Sequence, residues 1–210
     1  MDRTITRRGT MSGFLMHVLA RRQRWRIALV PLTGVTGLFY AARLVDRRRL
    51  KAMNLSLLLG RRFEHDRLQA LAESYARRVI QRNIYPDALA QIEADRAAGY
   101  RIVLATASFR LYVQAIAKGL GIADVIATDT MPGEARLAGP NCYGADKRAL
   151  IDAWLAAEGI EPHGAEIRAY SDHVSDTPML ELAGTPVATT PSPRLRRLAQ
   201  RRGWTIVDWR

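Results

Sequence analysis

The residues of this sequence that could do chemistry come just after short apolar runs. Thr106 and Ser108 follow "RIVLA", Asp172 and Asp176 follow "EIRAYS", and Lys147 stands at the start of "DKRALIDAW". Asp2 and Thr4 lie in the opening "MDRTIT". Carboxylates, a lysine and hydroxyls gathered beside helix N-termini are the parts that phosphoryl chemistry uses. The carboxylates hold Mg2+, while the ammonium and backbone N–H groups neutralise phosphate charge. The part this set lacks is a nucleophile. Alone, each residue has a plainer role: Thr106 as a β-branched strand end, Lys147 as a first-turn surface lysine, Asp172 and Asp176 as helix N-caps.

These residues act together only if the chain brings them to one edge of a fold. Residues 63–96 read as helical, with Leu68, Leu71, Tyr75 and Val79 recurring at spacings of three and four. A second helix there starts near Pro86 and stops at Gly99. Strands and helices then alternate. "RIVLATA", "DVIAT", "EIRAYSD" and "PVATT" read as strands and "WTIVDW" as an edge strand. The helices between and around them are "FRLYVQAIAKGLGI", "KRALIDAWLAAEGI", the short "DTPMLELAG" and "PRLRRLAQRRG". Short connections between alternating elements argue an α/β fold with a doubly wound, Rossmann-like parallel sheet. Such sheets bind ligands beyond the carboxyl ends of their strands, where Thr106, Ser108 and Asp172 fall.

The charge is unevenly placed. Residues 1–62 carry 14 basic side chains and two acidic ones, and the rest carry 18 of each, so the whole excess of +12 lies in the first third. That field attracts phosphate, anionic lipid headgroups or nucleic acid, unless it is simply a solvated helix surface. Trp25, Trp154, Trp204 and Trp209 are not spaced as a stacking platform, so nucleic acid is not an expected partner. Cys142 is the single cysteine, which excludes an internal disulfide and a Cys-based zinc site and fits a reducing, cytoplasmic setting. His65, His163 and His173 have no metal-ligand spacing. "TRRGTMSGFLMHVLA" makes a poor export signal because His17 interrupts its apolar run. "IALVPLTGVTGLFYAA", residues 27–42, is uncharged but too short to span a bilayer. It is expected as a buried helical hairpin, with an interfacial segment flanked by Arg as the alternative.

Three stretches together resemble the haloacid dehalogenase superfamily, in its phosphoserine-phosphatase-like branch with a helical cap inserted after the first motif. "RIVLATASF" is similar to the second motif and puts the phosphate-binding hydroxyl on Thr106, "NCYGADK" to the third with the phosphate-bridging Lys147, and "YSDHVSDTPML" to the fourth with Asp172 and Asp176. The resemblance implies a motif remnant over residues 1–7, a cap over 8–95 and the α/β core over 96–210.

The first motif of that family is an apolar strand ending in Asp-x-Asp-x-Thr. Matched onto "MDRTIT", its second Asp is Asp2 and its Thr is the phosphate-site Thr4, so the first Asp falls immediately before Met1. A second frame makes Asp2 the nucleophile. In both, the first core strand is expected to be missing, and a chain starting at Met1 is expected to be inactive and poorly folded. The implied activity is Mg2+-dependent phosphomonoester hydrolysis through an aspartyl phosphate, with Asp2 as general acid/base and Thr106 and Lys147 on the phosphoryl oxygens. Mg2+ would be held by the missing carboxylate, the Asp2 backbone carbonyl and Asp172, supported by Asp176. The expected substrate is a small phosphoserine-like phosphomonoester. A lipid phosphate handled at the inner membrane is the alternative, because the Arg-rich, partly apolar cap suits an anionic membrane surface. A non-catalytic relic is the third reading.

Overall fold

The computed structural model describes residues 1–210, apart from the side chain of His65. The first half is helical. Helix α1 (Met11–Arg22) buries Phe14, Leu15, Val18 and Leu19 and closes on Arg21 and Arg22, whose charges suit a helix C-terminus. A 3-10 turn (Arg24–Leu29) leads to α2 (Leu32–Ala41). In α3 (Arg47–Leu59) the Asp46 carboxylate caps the N-terminus by accepting from the Arg49 N–H at 2.6 Å. Helices α4 (His65–Arg82) and α5 (Pro86–Ala97) follow, α5 with Pro86 in its first turn.

The second half alternates. β1 (Val103–Phe109), α6 (Arg110–Gly119) and β2 (Asp124–Thr128) form one unit, and α7 (Ala145–Ala157) follows them. Then come β3 (Arg168–Ser171), the single turn α8 (Thr177–Leu180), β4 (Thr185–Thr189), α9 (Pro193–Arg202) and β5 (Thr205–Val207). All pairings between these strands are parallel. Val103 lies opposite Asp124, Arg168 opposite Thr185, and Val187 opposite Thr205. Among the described residues the sheet is in two pieces, β1-β2 and β3-β4-β5. Residues of β1 and β3 line a mainly apolar cavity of about 360 Å3 between them, together with Met1 and Trp154.

Helices α4 and α5 both fasten the helical half to the α/β half. Helix α4 packs along α6, burying Leu68, Ala72 and Val79 with Tyr112, Val113 and Ile116 in one core. Each large side chain there is worth about 1.5–3 kcal/mol on removal from water. Asp95 on α5 is buried and accepts from Arg168 (2.6 Å) and the Tyr170 hydroxyl (2.7 Å) on β3. Burial and the Asp95 bond push the Tyr170 phenol up to about 12.

The elements differ from the sequence reading in three places. Residues 27–42 do not make a buried hairpin: within α2 only Thr36 is buried. That helix rests mainly on α3, with Thr36 donating to Asn54 at 2.6 Å. Apolar composition alone suggested burial, but no second layer is there to cover it. The strand placed at 101–107 is shifted to 103–109, so Ser108 lies within β1, where the ladder becomes irregular between Thr106 and Phe109. The helix expected over 176–184 shrinks to one turn beyond Asp176.

Candidate active site

Asp2 and Thr4 are brought to the C-terminal ends of β1 and β3 by a tight turn. The Met1 carbonyl accepts from the N–H groups of Thr4, Ile5 and Thr6, and Arg3 adopts φ +58°, a conformation uncommon outside glycine. The Asp2 carboxylate is held at both oxygens. Its Oδ1 accepts from the Thr10 N–H (3.0 Å) and hydroxyl (2.7 Å), and its Oδ2 accepts from the Ser108 hydroxyl (2.7 Å). Because the Thr10 hydroxyl hydrogen goes to Asp2, the Tyr112 hydroxyl, 3.1 Å away, is the donor to Thr10 Oγ1. The Tyr75 hydroxyl donates to the Thr10 carbonyl at 2.7 Å. Gly13 makes room for it, since a Cβ there would stand 2.6 Å from that hydroxyl. Burial first, and the Asp2 charge second, push both phenols up, so they remain protonated donors.

On the other side of the break in the sheet, Thr4 donates to Asp172 Oδ1 at 2.9 Å. Asp172 follows the last residue of β3, and Asp176 sits five residues beyond Ser171, whose hydroxyl it accepts at 2.8 Å. Lys147 reaches the same group: its ammonium donates to Asp176 Oδ1 at 2.7 Å with both partners buried. Gly144, at φ +59° and ψ −129°, supplies the turn that aims the first turn of α7, and so Lys147, inward. Burial alone would raise the Asp176 carboxyl, but the Lys147 charge and hydrogen bond, with the Ser171 hydroxyl, outweigh it and hold the group below its ordinary value.

Thr106 is buried and its hydroxyl accepts from the Ser108 N–H at 3.1 Å, which fixes the strand end. The structure therefore gathers Asp2, Thr4, Ser108, Asp172, Asp176 and Lys147 around one point, with Thr106 beside Ser108. The plain reading of Lys147 as a surface lysine fails, because the residue is buried. Exposed His173 accepts from the Ser175 N–H at 3.2 Å as the cap of a 3-10 turn.

Among the described residues no three His, Cys, Asp or Glu side chains form a closed metal cage. Mg2+ takes hard oxygen donors from one or two carboxylates and leaves the rest of its octahedron to water and phosphate. The Asp172 carboxylate is such a donor, and Asp176 is committed to Lys147.

The model of the haloacid dehalogenase-like hydrolases matches residues 1–181. The chain belongs to that family. It is 35% identical over 149 residues to phosphoserine phosphatase SerB1 of Mycobacterium tuberculosis, a match covering 68% of this chain and 47% of that protein. The chain spans about half the length of the curated relatives it matches first. A Bordetella pertussis protein of unknown function superposes with a TM-score of 0.85 at 27% identity, covering 99% of this chain and 95% of that one. A probable phosphoserine phosphatase from Vibrio cholerae superposes with a TM-score of 0.68 at 14% identity, over 94% and 56%. At that identity the likeness is one of fold.

In this haloacid dehalogenase-like chain, sequence reasoning passed over Thr10, Tyr112, Ser171 and, above all, Lys51. Lys51 projects from α3 into the core, where its ammonium donates to the Ala107 carbonyl and, at 2.5 Å, to Asn141 Oδ1. The Thr128 hydroxyl lies 2.9 and 3.1 Å from the same two acceptors and donates its one hydrogen to one of them. Ala107 lies between Thr106 and Ser108, so the bond ties α3 to the strand end that carries both hydroxyls. Burial, and Arg47 after it, lower the Lys51 pKa to about 8. A signal was available: Lys51 falls on the same face as Leu55, Leu58 and Leu59, at spacings of four, seven and eight.

Proposed function

We propose that this chain is the catalytic unit of a Mg2+-dependent phosphomonoester phosphatase acting on a small phosphoserine-like substrate through an aspartyl phosphate. One observation carries the reading: Asp2, Ser108, Lys147 and Asp172 converge where β1 and β3 end, on an α/β scaffold of the haloacid dehalogenase-like family. The name of the M. tuberculosis relative supports the substrate class.

The chemistry is in two steps. A carboxylate attacks phosphorus and the bond to the leaving alkoxide breaks, while Asp2 gives that alkoxide its proton. Water then attacks the acyl phosphate and Asp2 takes the proton back. The attacking carboxylate is assigned to the first motif, the one that also holds Asp2 and Thr4. Lys147, already deprived of water, carries phosphoryl charge at little reorganisation cost, with Thr106, Ser108 and Thr4 as the neutral hydrogen-bonding groups. The Asp172 carboxylate and the Asp2 carbonyl would hold Mg2+, which supplies charge neutralisation at the phosphoryl oxygens. The Lys147–Asp176 pair keeps the ammonium aimed. A lipid phosphate such as phosphatidylglycerophosphate is the second reading, favoured by the exposed apolar face of α2.

The test is phosphate release by the full-length protein from phosphoserine, other soluble phosphomonoesters and a short-chain lipid phosphate, with and without Mg2+. Release that needs Mg2+ and falls at least about a hundredfold in Asp172→Asn is the expected result. Release unchanged in that variant would overturn the proposal, and preference for the lipid phosphate would select the second reading.

A further inference from the structure

The large apolar side chains that remain exposed among the described residues all lie between Met16 and Leu44. Trp25, Leu38 and Leu44 are 66%, 68% and 68% exposed, and Leu32, Val35 and Phe39 stand beside them. They occupy the 3-10 turn, the free faces of α2 and the loop behind it. A fold that leaves its apolar residues scattered needs no explanation, but one that collects them on one short helix does.

The surroundings of that face are cationic. Arg21 and Arg24 are exposed on one side, and Arg43, Arg47, Arg48 and Arg49 on the other. Between Arg3 and Arg62 the single acidic residue is Asp46, and its carboxylate is already used as the cap of α3. A shallow recess there, lined by Tyr40, Arg43, Leu44 and Arg49 among others, puts guanidinium groups next to apolar surface. A second copy of the chain would bring this positive field against itself, which disfavours self-association. An anionic surface is complementary to it. α2 is ten residues, about 15 Å, and no helix among the described residues is long and apolar enough to cross a membrane. Such a segment lies in an interface instead of spanning it, and Trp, Tyr and Phe beside Arg are suited to the headgroup boundary.

We propose that the face formed by α2, the turn before it and the loop after it docks on an anionic lipid bilayer. Its apolar side chains enter the headgroup boundary and the flanking arginines contact lipid phosphates. The geometry stands independently of the phosphatase reading, since none of these residues belongs to the site at Asp2.

The test is co-sedimentation of the full-length protein with vesicles of phosphatidylcholine alone and of phosphatidylcholine mixed with phosphatidylglycerol. Binding is expected only to the anionic vesicles, weakening as salt rises. The doubly substituted Leu38→Asp/Phe39→Asp variant should bind at least about tenfold more weakly with an unchanged circular dichroism spectrum, because both side chains are exposed. Three outcomes would overturn the proposal. They are no binding to anionic vesicles, equal binding to both vesicle types, or a stable dimer in solution that the double variant dissolves.

Discussion

Replacing Lys147 with Met removes a buried charge and leaves its partner behind. Asp176 would keep the Ser171 hydroxyl and lose its ammonium, at a site where both side chains are almost fully enclosed. Breaking one side of a buried pair costs about 3–5 kcal/mol, against a whole-domain stability of about 5–15 kcal/mol. In urea unfolding followed by circular dichroism, a slope of roughly 2 kcal/mol per molar turns that into a midpoint lower by about 1.5–2.5 M. The loss depends on pH with a definite sign. In the wild type the Asp176 carboxyl is held below its ordinary value, so its stabilisation is complete above the ordinary carboxylate range and is lost as pH falls through the depressed value. In Lys147→Met, burial is no longer outweighed and the carboxyl rises. The deficit is therefore largest above the raised value of the variant and shrinks as pH falls through it, where Asp176 takes up a proton in the variant but not yet in the wild type. The double variant with Asp176→Asn should recover most of the loss, giving a coupling of at least about 2 kcal/mol. A deficit under about 1 kcal/mol, or one independent of pH, would refute the reasoning.

Further expectations concern Lys51 and the two proposals already made. With its pKa lowered to about 8, Lys51 binds fewer protons in the folded chain than in the unfolded one above that pH. Wild-type stability relative to Lys51→Met should then rise with pH from about 8 to 10, by up to about 3 kcal/mol, as urea titrations at several pH values would report. A flat difference over that window would mean that Lys51 is not buried as a charge. Loss of Mg2+-dependent turnover in Asp172→Asn and loss of vesicle binding in Leu38→Asp/Phe39→Asp are independent of one another, so each can fail alone.

Much of this could be read from the sequence, for identifiable reasons. The strand–helix alternation after Gly99 is written in period and punctuation, and Gly99 does stand at φ +88° behind α5. The positions of Thr106, Lys147, Asp172 and Asp176 at strand ends and helix starts were legible because each ends an apolar run or opens a helix. Lys51 was not, since its partners Ala107 and Asn141 are 56 and 90 residues away and its helix belongs to another part of the chain. The same limit explains α2. Hydropathy says that a segment is apolar, but whether a second layer covers it is decided by packing, and here α3 supplies one side only. The Asp2–Thr10–Tyr112 chain of hydrogen bonds likewise needs α6 to pack beside α1 before it exists.

The most direct test of the aspartyl-phosphate chemistry is to trap the intermediate. The full-length protein from its own cells is mixed with phosphoserine for a single turnover, quenched in acid and mapped by mass spectrometry, for wild type and Asp2→Asn. Under the proposed function Asp2 activates water in the second step. The expected result is a phosphoryl group on an aspartate of the first motif that accumulates in Asp2→Asn. Phosphate on the hydroxyl of Thr106 or Ser108, or a label that vanishes when Asp2 is replaced, would contradict these assignments.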